Sequence, residues 1–120
     1  MRRRVGLIAL AALAVTPGLH AKPRADEQAR IDRLIRALGK RNDAVFIRNG
    51  KEYSCAQAAE FLQGKMKWQI DKIATMEDFI VLVGTRSDAS GKPYQVRLTD
   101  GRVIPSAAFL RQELARLEGR

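Results

Sequence analysis

Histidine and cysteine are almost missing from this chain: there is one of each in 120 residues. The lone cysteine, Cys55, excludes an intramolecular disulfide, so an apolar core must hold the fold together. The lone histidine, His20, falls within the first 21 residues. A chain that loses that segment has no histidine. It then has no imidazole general base, no Ser-His or Cys-His nucleophile pair and no His-ligated metal site. No Asp-rich loop of the EF-hand kind appears either. Aromatic residues are sparse, at 6%. The longest apolar run, residues 5–15, is too short to cross a bilayer, which takes about 20 residues.

What is present begins with an address. Arg2, Arg3 and Arg4 precede the apolar run 5–15. Thr16, Pro17 and Gly18 break that run, and Leu19-His20-Ala21 ends on a small residue. Charged start, short apolar stretch and small residue at the cut are the layout of a secretory signal peptide. Cleavage is expected after Ala21, leaving residues 22–120 as a single small domain. Only the arginines point toward twin-arginine export. Cleavage removes three of them, taking Lys+Arg from 22 to 19 against 13 acids and the net charge from +9 to +6. An exported chain of this mild basicity has no nucleic acid to meet. Its anionic partners would be lipid headgroups, lipopolysaccharide, cell-wall polymers or acidic proteins.

Along residues 22–120, Ile31, Leu34, Ile35 and Leu38 fall at i, i+3, i+4 and i+7, predicting a helix over 24–38 that Gly39 stops. Residues 44–48 read as a strand, Asn49-Gly50 as a tight turn and 51–53 as its return. Ser54 and Gln57 form a capping-box pattern. It opens a helix over 55–70 with Cys55, Ala58, Ala59, Leu62 and Met66 on one stripe, and Phe61 and Trp68 beside it. Thr75 caps a further helix ended by Gly84. The apolar run 79–83 within it also fits a buried strand, and the cap decides for helix. Residues 94–98 alternate as a half-buried strand. Asp100-Gly101 signals a hairpin back through 102–104. Ser106 is the expected cap of a last helix with Ala107, Leu110, Leu114 and Leu117 inward. No internal repeat is evident. The order helix, hairpin, helix, helix, hairpin, helix predicts an α+β domain: a small antiparallel sheet of two hairpins packed with about four helices.

Candidate site residues are few. Cys55 opens a helix, where backbone N–H groups and the dipole favour a thiolate. It is either a reactive thiol or a small buried hydrophobe on the Ala58-Leu62 stripe. Arg30, Arg33, Arg36, Lys40 and Arg41 lie mostly off the apolar stripe of the first helix, with Arg48 and Lys51 nearby. They form either a polyanion surface or an ordinary solvated face. Ser90-Gly91-Lys92-Pro93-Tyr94 reads as a rigid loop displaying Ser90, Lys92 and Tyr94. It resembles the Ser-Gly-x-x-Tyr loop of bacterial periplasmic lysozyme inhibitors. Glu77 and Asp78 point about 100° apart on a helix and serve better as first-turn charges than as a catalytic pair.

Five segments together resemble the YfeK-type family of small exported proteobacterial proteins, a domain of unknown function. They are Ala29-Arg30-Ile31-Asp32, Phe46-Ile47-Arg48-Asn49-Gly50, Ser54-Cys55-Ala56-Gln57-Ala58, Glu77-Asp78-Phe79-Ile80 and Ser90-Gly91-Lys92-Pro93-Tyr94. The resemblance spans essentially residues 22–120. It implies a periplasmic location in a Gram-negative bacterium, brings no catalytic residues, and directs attention to Arg48, Asn49, Ser90, Lys92 and Tyr94. The expectation is a non-catalytic envelope binding module without cofactor or metal and without a membrane span after cleavage. Its partner would be an unknown periplasmic protein or an anionic envelope component. The alternatives are a thiol-linked redox protein acting through Cys55 and an inhibitor of cell-wall hydrolases.

Overall fold

The computed structural model describes residues 22–120, so the signal-peptide reading of residues 1–21 lies outside the described residues. In chain order the elements are α1 (Ala25–Lys40), β1 (Val45–Arg48), β2 (Lys51–Ser54), α2 (Cys55–Trp68), a 3₁₀ turn (Ile70–Lys72), α3 (Met76–Asp78) running into a π turn (Phe79–Val83), β3 (Gln95–Arg97), β4 (Val103–Pro105) and α4 (Ser106–Leu117). The fold is α+β, as expected. The strands form one antiparallel sheet in the order β2-β1-β3-β4, so the two hairpins meet along β1 and β3. Each hairpin runs directly into a helix, and each is preceded by one. The chain is therefore two α-β-β-α halves in tandem, joined at a single seam. This topological repeat has no counterpart in the residue pattern.

Cross-strand pairing builds the inner face. Tyr53 pairs with Phe46, Phe46 with Val96, and Val96 with Ile104, one row across all four strands. Phe46 and Val96 are fully buried. Period-two alternation sends Glu52, Gln95 and Val103 to the opposite, exposed face. The helices cover one side only. The α1 stripe Ile31, Leu34, Ile35 and Leu38 is buried as its spacing requires, and so are Cys55, Ala58, Leu62 and Met66 of α2.

Local signals explain most boundaries, and the exceptions have physical reasons. Ser54 Oγ accepts from Gln57 N–H at 3.0 Å, and Gln57 Oε1 accepts from Ser54 N–H at 2.9 Å, closing the capping box. Thr75 and Asp78 close a second one. Gly39 does not stop α1, which runs on through Lys40. A methyl group at Gly39 would stand 3.2 Å from Ala59 Cβ, so the glycine lets α1 and α2 approach closely. α2 ends at Trp68 rather than Ile70, because residues 70–72 tighten into a 3₁₀ turn. Residues 79–83 are helical, as the cap indicated, but widened: Gly84 N–H bonds Phe79 O, and Thr85 Oγ1 donates to Ile80 O at 2.7 Å. This π turn buries Phe79, Ile80 and Val83 together.

α4 departs furthest from its expected reading. Ser106 is its first helical residue, not its cap; Pro105 holds the cap position. The Ser106 hydroxyl is buried and has no hydrogen-bond partner among the described residues. Inward positions are Phe109, Leu110, Glu113 and Leu114, while Ala107 and Leu117 are half-buried. The stripe is thus rotated to include an acid. Glu113 is buried between Arg41, whose Nη1 donates to its Oε1 at 2.5 Å, and Arg116. Burial alone would raise the Glu113 carboxyl. The Arg116 hydrogen bond and the Arg41 charge outweigh it and hold the group below the usual carboxylate range. Among the described residues, no helix is long and apolar enough to cross a membrane.

Candidate functional site

The Asn49-Gly50 turn and the loop at residues 87–94 are far apart in sequence and adjacent in space. Asn49 adopts the left-handed conformation at φ 52°, which short polar side chains tolerate best. That geometry aims its amide at the loop. Asn49 Nδ2 donates to Ser87 Oγ at 3.3 Å, and Ser90 Oγ donates to Asn49 Oδ1 at 2.5 Å. The loop is also closed on itself: Ser87 N–H bonds Lys92 O at 2.9 Å, Gly91 N–H bonds Ser87 O at 2.8 Å, and Lys92 N–H bonds Ser90 Oγ at 3.2 Å. Ser87, which the sequence did not single out, is buried at the centre of this knot.

Strand parity sets the next layer. Arg48 shares the inner face of β1 with Phe46, so its guanidinium lands on the aromatic end of the core. It lies 4.4 Å from the ring centre of Phe61 and 4.9 Å from that of Tyr53. Phe61 is the hub of the cluster, with ring centres of Phe46, Tyr53 and Tyr94 at 5.4, 5.8 and 5.7 Å. One helical turn beyond Phe61, Lys65 places its ammonium 5.0 Å above the Tyr94 ring. Lys65 Nζ also donates to Arg86 O at 2.6 Å and to Tyr94 Oη at 3.3 Å, with Asp88 Oδ1 at 3.5 Å. Arg48, Phe61, Lys65, Asp88 and Tyr94, together with Trp68, Gln69 and Lys72, line a cleft of about 490 Å³. Trp68 stands at its rim, 90% exposed.

The anticipated residues divide accordingly. Arg48 and Tyr94 line the cleft, while Asn49 and Ser90 hold the knot beside it. Tyr94 is not displayed on the loop: the residue is 3% exposed and packs beneath Lys65. The resemblance to lysozyme-inhibitor loops therefore loses its aromatic member. Lys92 contributes backbone to the knot, and its exposed side chain is outside the cleft lining. Lys65 and Lys72 went unremarked, and Trp68 was noted only as lying beside the apolar stripe. The available signal was the second face of α2, where Phe61, Lys65 and Trp68 follow at i, i+4 and i+7.

Cys55 lies at the other end of α2, about 20 Å from Trp68 by the rise of the helix. It is buried, its Sγ donates to Ala44 O at 3.5 Å, and burial pushes the thiol up despite the nearby Arg41 charge. The basic surface of α1 is interrupted. Arg30 grips Glu118 through Nε and Nη2 at 2.5 and 2.9 Å, and Arg41 is taken by Asp43 and Glu113. Among the described residues, no three His, Cys, Asp or Glu side chains gather in a way that could hold a metal.

Residues 25–118 match a family described as "Family of unknown function (DUF5329)". Over 86 residues the chain is 37% identical to "Uncharacterized protein YfeK" of Salmonella typhimurium strain LT2, covering 72% of this chain and 72% of that protein. No solved structure matches the chain.

Proposed function

This chain belongs to the family of unknown function DUF5329, and from that premise we propose that it is a non-catalytic binding module of the bacterial cell envelope. It is exported to the periplasm by a signal peptide spanning residues 1–21 and works as residues 22–120. It engages its partner, a periplasmic protein or an anionic envelope component, through the face where the Asn49 turn, the 87–92 loop and the cleft meet. The single observation carrying this reading is the junction itself. Two distant segments are locked by the Ser90–Asn49 hydrogen bond beside a cleft that pairs cations with an exposed indole. A rigid frame around exposed aromatic and cationic groups is what recognition surfaces require. The ionisable side chains lining the cleft include three cations, Arg48, Lys65 and Lys72, against one carboxylate, Asp88, a set suited to holding an anion.

The reading is tested by placing a photocrosslinking residue at Ser90 in cells. We expect one reproducible crosslinked species from the periplasmic fraction, absent when the crosslinker sits at Glu52 on the outer sheet face. Retention of the chain in the cytoplasm, or the same species from both positions, defeats the proposal.

A further inference from the structure

The cleft has a recessed charged floor and an exposed aromatic rim, and these two layers ask for different parts of one ligand. On the floor, Arg48 is flattened against Phe61 and Tyr53, and among the described residues it has no carboxylate partner. Lys65 beside it is held from below by Arg86 O and Tyr94 Oη, and its side chain is only 13% exposed. A flat bilayer surface cannot reach these groups. Lys67 and Lys92, outside the cleft lining, are by contrast exposed. A single carboxylate or phosphate on a slender stem can reach Arg48 and Lys65, and Arg48 offers it charge-assisted hydrogen bonds. On the rim, the only tryptophan of the chain leaves its indole in water. The π face of an indole is electronegative and apolar, and it accepts the C–H face of a saturated ring. Asp88 and Gln69, also on the wall, suit the hydroxyls of such a ring.

We infer that the cleft binds an anionic saccharide: one sugar ring stacked on Trp68, its carboxylate or phosphate directed to Arg48 and Lys65. This deepens the binding-module reading and rests on it, because envelope saccharides bearing such groups are what an exported protein meets. Lys72 at the mouth adds attraction for the incoming anion. Asp88 sits 3.5 Å from Lys65 and is displaced or recruited to a hydroxyl as the ligand enters.

The lone tryptophan is a built-in reporter. Purified protein is titrated with glucuronic acid and with a phosphorylated glucose while Trp68 emission is followed; glucose, inorganic phosphate, adenosine monophosphate and an acidic peptide serve as comparisons. The expected result is a saturable change with at least one of the sugar acids, at an affinity about tenfold above every comparison. Arg48→Gln should weaken that binding about tenfold. Trp68→Ala, followed by calorimetry, should abolish it with circular dichroism unchanged, since the indole is exposed. No saturable response to either sugar acid overturns the inference. So does equal binding by any comparison, which would make the site one for bare anions, neutral sugars, nucleotides or acidic chains. The two readings fail separately. A crosslinked protein partner without a sugar response removes the saccharide and leaves the binding module. Sugar binding by a protein found in the cytoplasm removes the envelope and leaves the ligand.

Discussion

Two side chains carry more of the fold than their polarity suggests. Asn49 occupies a left-handed position and makes two side-chain contacts that tether the 87–92 loop. Asn49→Ala should cost about 1–2 kcal/mol, from backbone strain and the lost hydrogen bonds. Asn49→Gly keeps the backbone relaxed and should cost less, so the pair separates strain from tethering in urea titrations. Glu113 is the second. Its buried carboxylate joins Arg41, which follows α1, to Arg116 of α4. Glu113→Gln removes the charge the two arginines share and one of its acceptor oxygens, while Arg41 keeps Asp43. Because both arginines retain solvent contact, the expected loss is about 2 kcal/mol, below that of a fully buried pair. The group is held below its ordinary value in the fold. It therefore stabilises above the unfolded carboxylate range and loses that contribution as pH falls through its folded value. The difference between wild type and Glu113→Gln should be full at neutral pH, narrow as pH falls below the ordinary carboxylate range, and close only below the depressed folded value. A constant difference across that range would show that shape, not charge, matters at this position.

At the scale of elements, α4 shows where local reading stops. Its N-terminus looked capped by Ser106, yet the hydroxyl is enclosed without a partner among the described residues. Ser106→Ala removes an unsatisfied buried polar atom at little change in volume, so stability should rise by about 1 kcal/mol. A fall in melting temperature would reveal an acceptor for that hydroxyl. Helices whose apolar stripe is made by near neighbours were legible: Ile31, Leu34, Ile35 and Leu38 needed only the 3.6-residue period. The capping boxes at Ser54 and Thr75 were legible because each closes within four residues. What was hidden depends on contacts across the chain. Glu113 is inward where Arg41 meets it, and Gly39 serves a close helix approach only because Ala59 lies opposite. Lys65 becomes part of a site only when Tyr94 arrives beneath it. Arg48 and Tyr94 line the cleft and Asn49 and Ser90 the knot beside it, but the helix face that completes the cleft has no local mark in the sequence.

For the molecule as a whole, the absence of a disulfide leaves the apolar core to hold the fold, and Cys55 sits inside it. Its thiol should react with an aromatic disulfide reagent only as fast as the protein opens, so labelling should accelerate with urea in step with unfolding. Immediate labelling in buffer would return Cys55 to the list of functional groups. Cys55→Ala should leave the Ser90 crosslinking pattern unchanged, because the cysteine and the cleft lie at opposite ends of α2. The tandem arrangement of the two halves has a kinetic consequence. Each hairpin closes through its own short turn, but the seam forms only after the chain returns from a long excursion through α2 and the π turn. Closing that loop costs entropy before the Phe46–Val96 contact offsets it. Formation of the seam should therefore set the rate of folding. Val96→Ala should slow refolding, while changes in the Asp100-Gly101 turn should mainly speed unfolding. The joint that makes one molecule of two similar halves would then also act as its clock.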